Sequence, residues 1–190
     1  SDYHRTNVRF NNKIFLNDWM TLSTKSSYTL TNSNRIQQNS NTAGLMLGFL
    51  RTPPDFDITD YRGDYTSSGG EVILGRHRSY RRYLGNNVNP TYNNPLWTIN
   101  EQRSTSDVNR FTVTPQLNIT PTSWLQIILR GNADISDDKR VYFFPIGSGG
   151  SRSPGVFAED IIGRRELNFD AIAKGTFNLG DAIDLTATAG

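Results

Sequence analysis

Apolar and polar positions alternate along three stretches of the chain, and each stretch is a pair of runs around a short turn. In the first, Val8, Phe10, Ile14 and Leu16 share one parity, with Arg9, Asn11 and Lys13 between them. Asn17-Asp18 turns the chain, and Met20, Leu22, Thr24, Ser26, Tyr28 and Leu30 then alternate with Thr21, Ser23, Lys25, Ser27 and Thr29. In the second, Phe111, Val113, Leu117 and Ile119 stand against Arg110, Thr112, Thr114, Gln116 and Asn118. Pro121-Thr122-Ser123 turns it, and Leu125, Ile127, Leu129, Ala133 and Ile135 share the next parity with Gly131. The third sets Leu167, Phe169, Ala171, Ala173 and Phe177 before Asn178-Leu179-Gly180-Asp181, then Ile183, Leu185, Ala187 and Ala189. Successive side chains of a strand point to opposite faces, so every run has one apolar and one polar face.

The pattern predicts six strands, over about 5–16, 19–34, 107–120, 124–142, 164–179 and 183–190. They last about 11 to 17 residues, against about 5 or 6 for soluble strands and about 9 to 11 for membrane strands. The polar faces, rich in Asn, Thr, Ser, Gln, Arg and Lys, suit a water-filled lumen better than a second sheet. At one end the connections are tight turns. At the other they run over about 37–106 and 145–163, too long for structureless loops of a small soluble domain. Short turns on one side and long loops on the other are the layout of an outer-membrane barrel, with periplasmic turns and extracellular loops. The expected fold is all-β, an antiparallel transmembrane β-barrel present as three hairpins. Six strands cannot close such a barrel, whose smallest form has about eight. Trp19 and Trp124 each stand where the chain re-enters a strand, the place of a membrane-interface girdle or of a cap on a soluble core.

Composition narrows the classes further. Of 190 residues, 35% are hydrophobic, the mean hydropathy is −0.55, and no apolar run nears the roughly 20 residues of a membrane helix. A net charge of +2 argues against nucleic acid as partner. Without Cys and with only His4 and His77, the chain has no disulfide, no thiolate nucleophile and no Cys- or His-rich metal site. Ser1 is not an initiator Met, and the last residues stop in mid-alternation. Both ends therefore read as internal to a longer protein.

The long connection holds an apolar stretch, Asn41–Leu50, reading as about three helical turns with Asn41 as N-cap. Thr52-Pro53-Pro54 ends it. The run Ser40-Asn41-Thr42-Ala43-Gly44-Leu45-Met46-Leu47-Gly48-Phe49-Leu50-Arg51-Thr52-Pro53-Pro54-Asp55-Phe56-Asp57 resembles a loop of SusC/RagA-type TonB-linked outer-membrane transporters of Bacteroidetes type. Asn94-Pro95-Leu96-Trp97-Thr98-Ile99-Asn100, Asp107-Val108-Asn109-Arg110-Phe111, Tyr142-Phe143-Phe144-Pro145-Ile146-Gly147 and Arg165-Glu166-Leu167-Asn168 carry the same resemblance, in order, over nearly the whole chain. The resemblance implies the middle of a plugged barrel that closes at about 22 strands. It also implies import of bulky nutrients, glycan oligosaccharides or peptides, driven through TonB under a SusD-like surface lipoprotein, in contact with outer-membrane lipid and lipopolysaccharide. Plug domain and TonB box are absent from the chain. Leu45, Leu47, Phe49, Arg51, Pro53, Pro54 and Phe56 are then the expected lid-loop motif.

The candidate chemistry is for binding, not catalysis. Arg76, Arg78, Tyr80, Arg81, Arg82 and Tyr83 interleave cations with aromatic rings, a combination that holds sugars, phosphates and carboxylates. The plainer reading is a solvated loop whose arginines pair with nearby acids. Tyr92 and Trp97, with Tyr80 and Tyr83, are candidates to stack on sugars or else to pack the loop on itself. Asp55, Asp57, Asp60 and Asp64, and Asp134, Asp137 and Asp138, lack the order of a calcium loop, and no metal or other cofactor is expected. Gly147–Gly155 lacks a phosphate-loop ending. No acid–base pair or nucleophile triad can be assembled, so no enzyme is expected. The alternative to a transporter segment is a soluble secreted β-rich carbohydrate-binding or adhesin module, which would bury both parities of some strands.

Overall fold

The computed structural model describes residues 2–37, 40–66, 69–80, 92–180 and 183–190. In chain order the elements are β1 (Tyr3–Asn17), β2 (Met20–Asn34), α1 (Leu45–Arg51), β3 (Arg62–Thr66), β4 (Val72–His77), α2 (Pro95–Asn100), β5 (Arg103–Thr122), β6 (Leu125–Phe144), a 3₁₀ turn (Gly150–Arg152), β7 (Val156–Asn178) and β8 (Asp184–Ala189). The five long strands and the short β8 form one antiparallel sheet in the order β1-β2-β5-β6-β7-β8, and β3 pairs with β4 apart from it. No described helix is long and apolar enough to cross a membrane.

Register keeps like faces together. Between β7 and β8, Ala173 stands opposite Ala189, Gly175 opposite Ala187 and Phe177 opposite Leu185. Lys174–Thr188, Thr176–Thr186 and Asn178–Asp184 fill the other face. The tight turns are built alike. Asn17 Oδ1 accepts the Trp19 amide at 3.1 Å, closing the first turn. The Trp19 carbonyl then accepts the amide of Thr120 at 2.8 Å, and the Trp124 carbonyl accepts that of Thr176 at 2.8 Å. Each of these turns is thus bonded to the first strand of the hairpin that follows it.

The chain packs as two compact units. One comprises residues 4–31, 108–138 and 162–190, and the other 1–3, 32–107 and 139–161. The first is a single sheet layer with no buried apolar side chain among its described residues. Val8 and Phe10 on β1 are each 62% exposed and Phe169 on β7 is 72% exposed. A soluble sheet covers its apolar face with a second layer, and these rows carry none. The alternative, a soluble module, requires both parities of some strands to be buried, and among the described residues of this unit neither parity is. The sheet is open and antiparallel, with the fold of a β-barrel segment.

The second unit is the folded long connection together with residues 139–161. Its apolar core is Ala43, Trp97 and Phe144. Here α1 departs from the sequence reading: it starts at Leu45, with Gly44 and not Asn41 at the N-cap position. Ser40 causes the shift. Its hydroxyl accepts the Ala43 amide at 3.1 Å, and its carbonyl accepts the Gly44 amide at 2.9 Å, so residues 41–43 are spent in a turn. A Cβ on Gly44 would collide with that carbonyl oxygen. Thr52 ends the helix, its hydroxyl on the Gly48 carbonyl at 2.7 Å, before Pro53 excludes another turn.

Gly147 adopts φ +89°, and a Cβ there would lie 3.0 Å from Arg76 Cγ and 3.3 Å from its Cα. Gly147→Ala is expected to destabilise this unit by about 1–3 kcal/mol, since strain and crowding act together. Faster amide exchange in residues 76–78 and 144–149 of the full-length protein checks it; unchanged exchange contradicts it.

Candidate functional site

Two surfaces hold the chemistry, one in each unit. In the loop unit, α2 is set by Asn94. Its Oδ1 caps the helix by accepting the Leu96 amide at 2.8 Å, and its Nδ2 donates to the carbonyls of Ile58 at 3.1 Å and Arg78 at 2.9 Å. Pro95 follows at the first helical turn, where no amide hydrogen is missed. These bonds turn Trp97 inward. Its indole Nε1 donates to Ser148 Oγ at 3.2 Å, and that hydroxyl donates to the Pro145 carbonyl at 2.8 Å. The His77 ring lies 5.9 Å away, tilted by 52°. Thr98 Oγ1 donates to the Ala43 carbonyl at 3.3 Å, and Arg152 binds Ser40 Oγ at 3.1 Å while lying 4.3 Å over the Phe144 ring.

Two expected contact residues are corrected by this packing. Trp97 is 2% exposed and Arg76 6%, so neither presents its side chain to a ligand in solution. Trp97 is the centre of the loop core, and Arg76 lies against Gly147. Arg78 is half-buried and ion-paired with Asp60. Tyr80 is half-buried. Tyr92 has the Arg51 guanidinium 4.3 Å from its ring centre, and Arg51 also donates to the Asn41 carbonyl and side chain, both at 2.7 Å. Arg81, Arg82 and Tyr83 lie outside the described residues.

The lid-loop motif is divided between cover and surface. Gly48 lies against Pro95 of α2, and Leu45 and Phe56 are half-buried. Met46, Leu47, Phe49 and Leu50 are exposed, as are Pro53 and Pro54. Asp57, Asp60 and Asp64 nearby are engaged locally, Asp60 by Arg78. Asp57 accepts both the amide of Thr59 at 2.9 Å and its hydroxyl at 2.6 Å, and these bonds hold its carboxyl below the usual carboxylate range. Asp64 accepts the Gly75 amide at 3.4 Å. Glu101 takes the Tyr61 hydroxyl at 3.2 Å and Arg62, and it raises the Arg62 guanidinium above its usual value.

The sheet unit bears its chemistry on the polar parity. Asn7 Nδ2 donates to Thr29 Oγ1 at 2.5 Å from β1 to β2, and Ser27 and Thr112 share a bond of 2.8 Å from β2 to β5. Arg110 grips Asp134 from β5 to β6, with Nε at 2.9 Å. Thr114 donates to Asn132 at 3.0 Å, and Arg130 Nε meets Asp170 at 3.1 Å from β6 to β7. The ladder is all side chain, and every member stands opposite in parity to the apolar rows. Sequence reasoning places these residues on a polar face but not their partners, because β2 meets β5 across 85 residues of separation at Ser27–Thr112. Below the ladder, an open recess of about 420 Å³ is lined by Thr120, Trp124, Gln126, Lys174 and Thr176 among others. Trp124 is exposed, tilted against Phe177 with ring centres 5.3 Å apart. Trp19 is exposed at the other tight turn.

No protein family's sequence profile matches the chain, and no curated protein does. Solved structures match it over nearly its whole length. The RagAB peptide importer in its open-open state aligns with TM-score 0.69 and 19% identity, over 98% of this chain and 19% of that one. The chain folds like a segment of that importer. The closed-closed state aligns with TM-score 0.68 at 18% identity, and a further RagAB peptide transporter structure with 0.67 at 18%, each over 98% of this chain and 19% of the other. This importer-like segment thus spans about a fifth of the chains it matches.

Proposed function

We propose that the chain is part of the wall of an outer-membrane, TonB-dependent importer of bulky nutrients, and that peptides are its substrates. The observation that carries the reading is the two-faced single layer: apolar rows left uncovered on one side, a hydrogen-bonded polar ladder on the other. Such a layer suits lipid outside and a water-filled passage inside. The likeness to a peptide importer favours peptides over glycans. The exposed apolar side of α1, with Pro53 and Pro54 beyond it, is the surface on which a SusD-like lipoprotein lid docks. Energy enters through TonB and a plug carried by other parts of the protein. Catalysis has no place in this reading.

The test uses the full-length protein in its own cells. It is expected in the detergent-extracted outer membrane, and deleting its gene is expected to abolish uptake of labelled oligopeptides. Recovery of the protein as a free periplasmic or secreted species, or undiminished uptake after deletion, overturns the proposal.

A further inference from the structure

The polar face is not uniform in charge. On β5 and β6 of the sheet unit its arginines are neutralised, Arg110 by Asp134 and Arg130 by Asp170. The β1–β2 hairpin is different. Arg5, Arg9 and Lys13 share one parity of β1, Lys25 has the matching parity of β2, and neither strand of this unit (residues 4–17 and 20–31) contains a carboxylate. All four are exposed. Among the described residues, none of the four enters an ion pair. Lys13 lies over the Phe15 ring, 4.9 Å from its centre.

Spacing gives the stripe a readable form. Along the face the order is Arg5, Asn7, Arg9, Asn11, Lys13, a cation and an amide in turn. At about 3.3 Å per residue the cations repeat every ~13 Å. The bonds Asn7–Thr29 and Thr24–Asn12 align the two strands and bring Lys25 level with the stretch between Arg9 and Lys13. An extended peptide has the same rise per residue. With an acid at every fourth position it meets the cations in step, and the asparagine amides lie opposite its backbone groups.

We infer that this stripe is a binding track for extended acidic peptides, biasing the passage toward anionic cargo. The inference rests on the importer reading and names a substrate class for it. Each contact is open to water, so the bias is graded and weakens as salt rises.

The experiment measures binding and uptake by the full-length importer in outer-membrane vesicles. The probes are a fluorescent peptide with glutamate at every fourth position and its all-glutamine isostere. The double variant Arg9→Gln/Lys13→Gln is expected to weaken the glutamate peptide about fivefold, the order set by two solvent-screened pairs. The glutamine peptide is expected to be unaffected, and Arg5→Gln to give a smaller loss of the same kind. Heat-modifiable electrophoretic mobility verifies that each variant is assembled. Equal losses for both peptides mean that the stripe pairs with acids of the protein itself, and that overturns the inference, as does no loss for either. If the unaltered protein binds neither peptide, the importer reading fails instead.

Discussion

Val113→Lys and Ile127→Lys are expected to block assembly of the full-length protein in the outer membrane, while Thr112→Lys and Asn118→Lys are tolerated. The four residues lie on two strands, β5 and β6. Val113 and Ile127 stand on the apolar parity, where no second layer covers the sheet. In the proposed importer wall an ammonium group there faces hydrocarbon, at about 2–4 kcal/mol near the midplane and less toward the interfaces. Thr112 and Asn118 stand on the other parity, one bonded to Ser27 at 2.8 Å and the other to Gln116 at 3.0 Å. A lysine there loses one neutral hydrogen bond, about 1 kcal/mol, and extends into water. The measurement is the fraction of each variant that reaches the membrane and shows heat-modifiable mobility. Equal sensitivity of the two pairs contradicts the assignment of faces.

Trp97→Ala is expected to destabilise the loop unit by about 3–5 kcal/mol, the range for emptying a large aromatic site. The residue has no room to relax toward solvent, being 2% exposed on α2 and packed against Ser148 and the His77 ring. Its removal also leaves Ser148 without the indole donor. Trp97→Phe keeps most of the ring contact and loses the N–H, so a smaller effect of about 1–2 kcal/mol is expected. Limited proteolysis of outer-membrane vesicles reads both: cleavage near residues 92–102 and 144–150 accelerates in Trp97→Ala, modestly in Trp97→Phe. Were Trp97 a sugar-stacking surface residue, neither change would alter cleavage.

The strands were legible because each is a local pattern. Alternation of Phe111, Val113, Leu117 and Ile119 with polar neighbours is complete within the run, and no distant contact is needed to read it. The loop unit was not legible for the opposite reason. The β3 sequence Arg-Gly-Asp-Tyr-Thr has no alternation, and β4 is broken by Gly75 at φ +66°. Their pairing, Arg62 with His77 and Gly63 with Arg76, is a tertiary fact. Arg76 and His77 read as solvated because they belong to a basic run. They are buried because residues 144–148, far along the chain, fold over them, with the His77 amide on the Gly147 carbonyl at 3.5 Å. Asn41 looked like a cap because Asn is a good one, but Ser40 competes by folding residues 40–43 into a turn first. The cationic stripe on β1 is visible in composition. That it has no ion-pair partner among the described residues emerges only when Asp134 and Asp170 are seen to be committed to other arginines.

The bonds from Thr120 to Trp19 and from Thr176 to Trp124 separate two tasks that a chain usually solves together. A strand returning after an excursion is aligned by the hairpin bend already in place, and the excursion itself transmits no alignment. Closing a flexible excursion of twice the length adds only about 0.6 kcal/mol. Evolution can therefore lengthen, trim or exchange the long connections freely, while the strands they join keep the same frame.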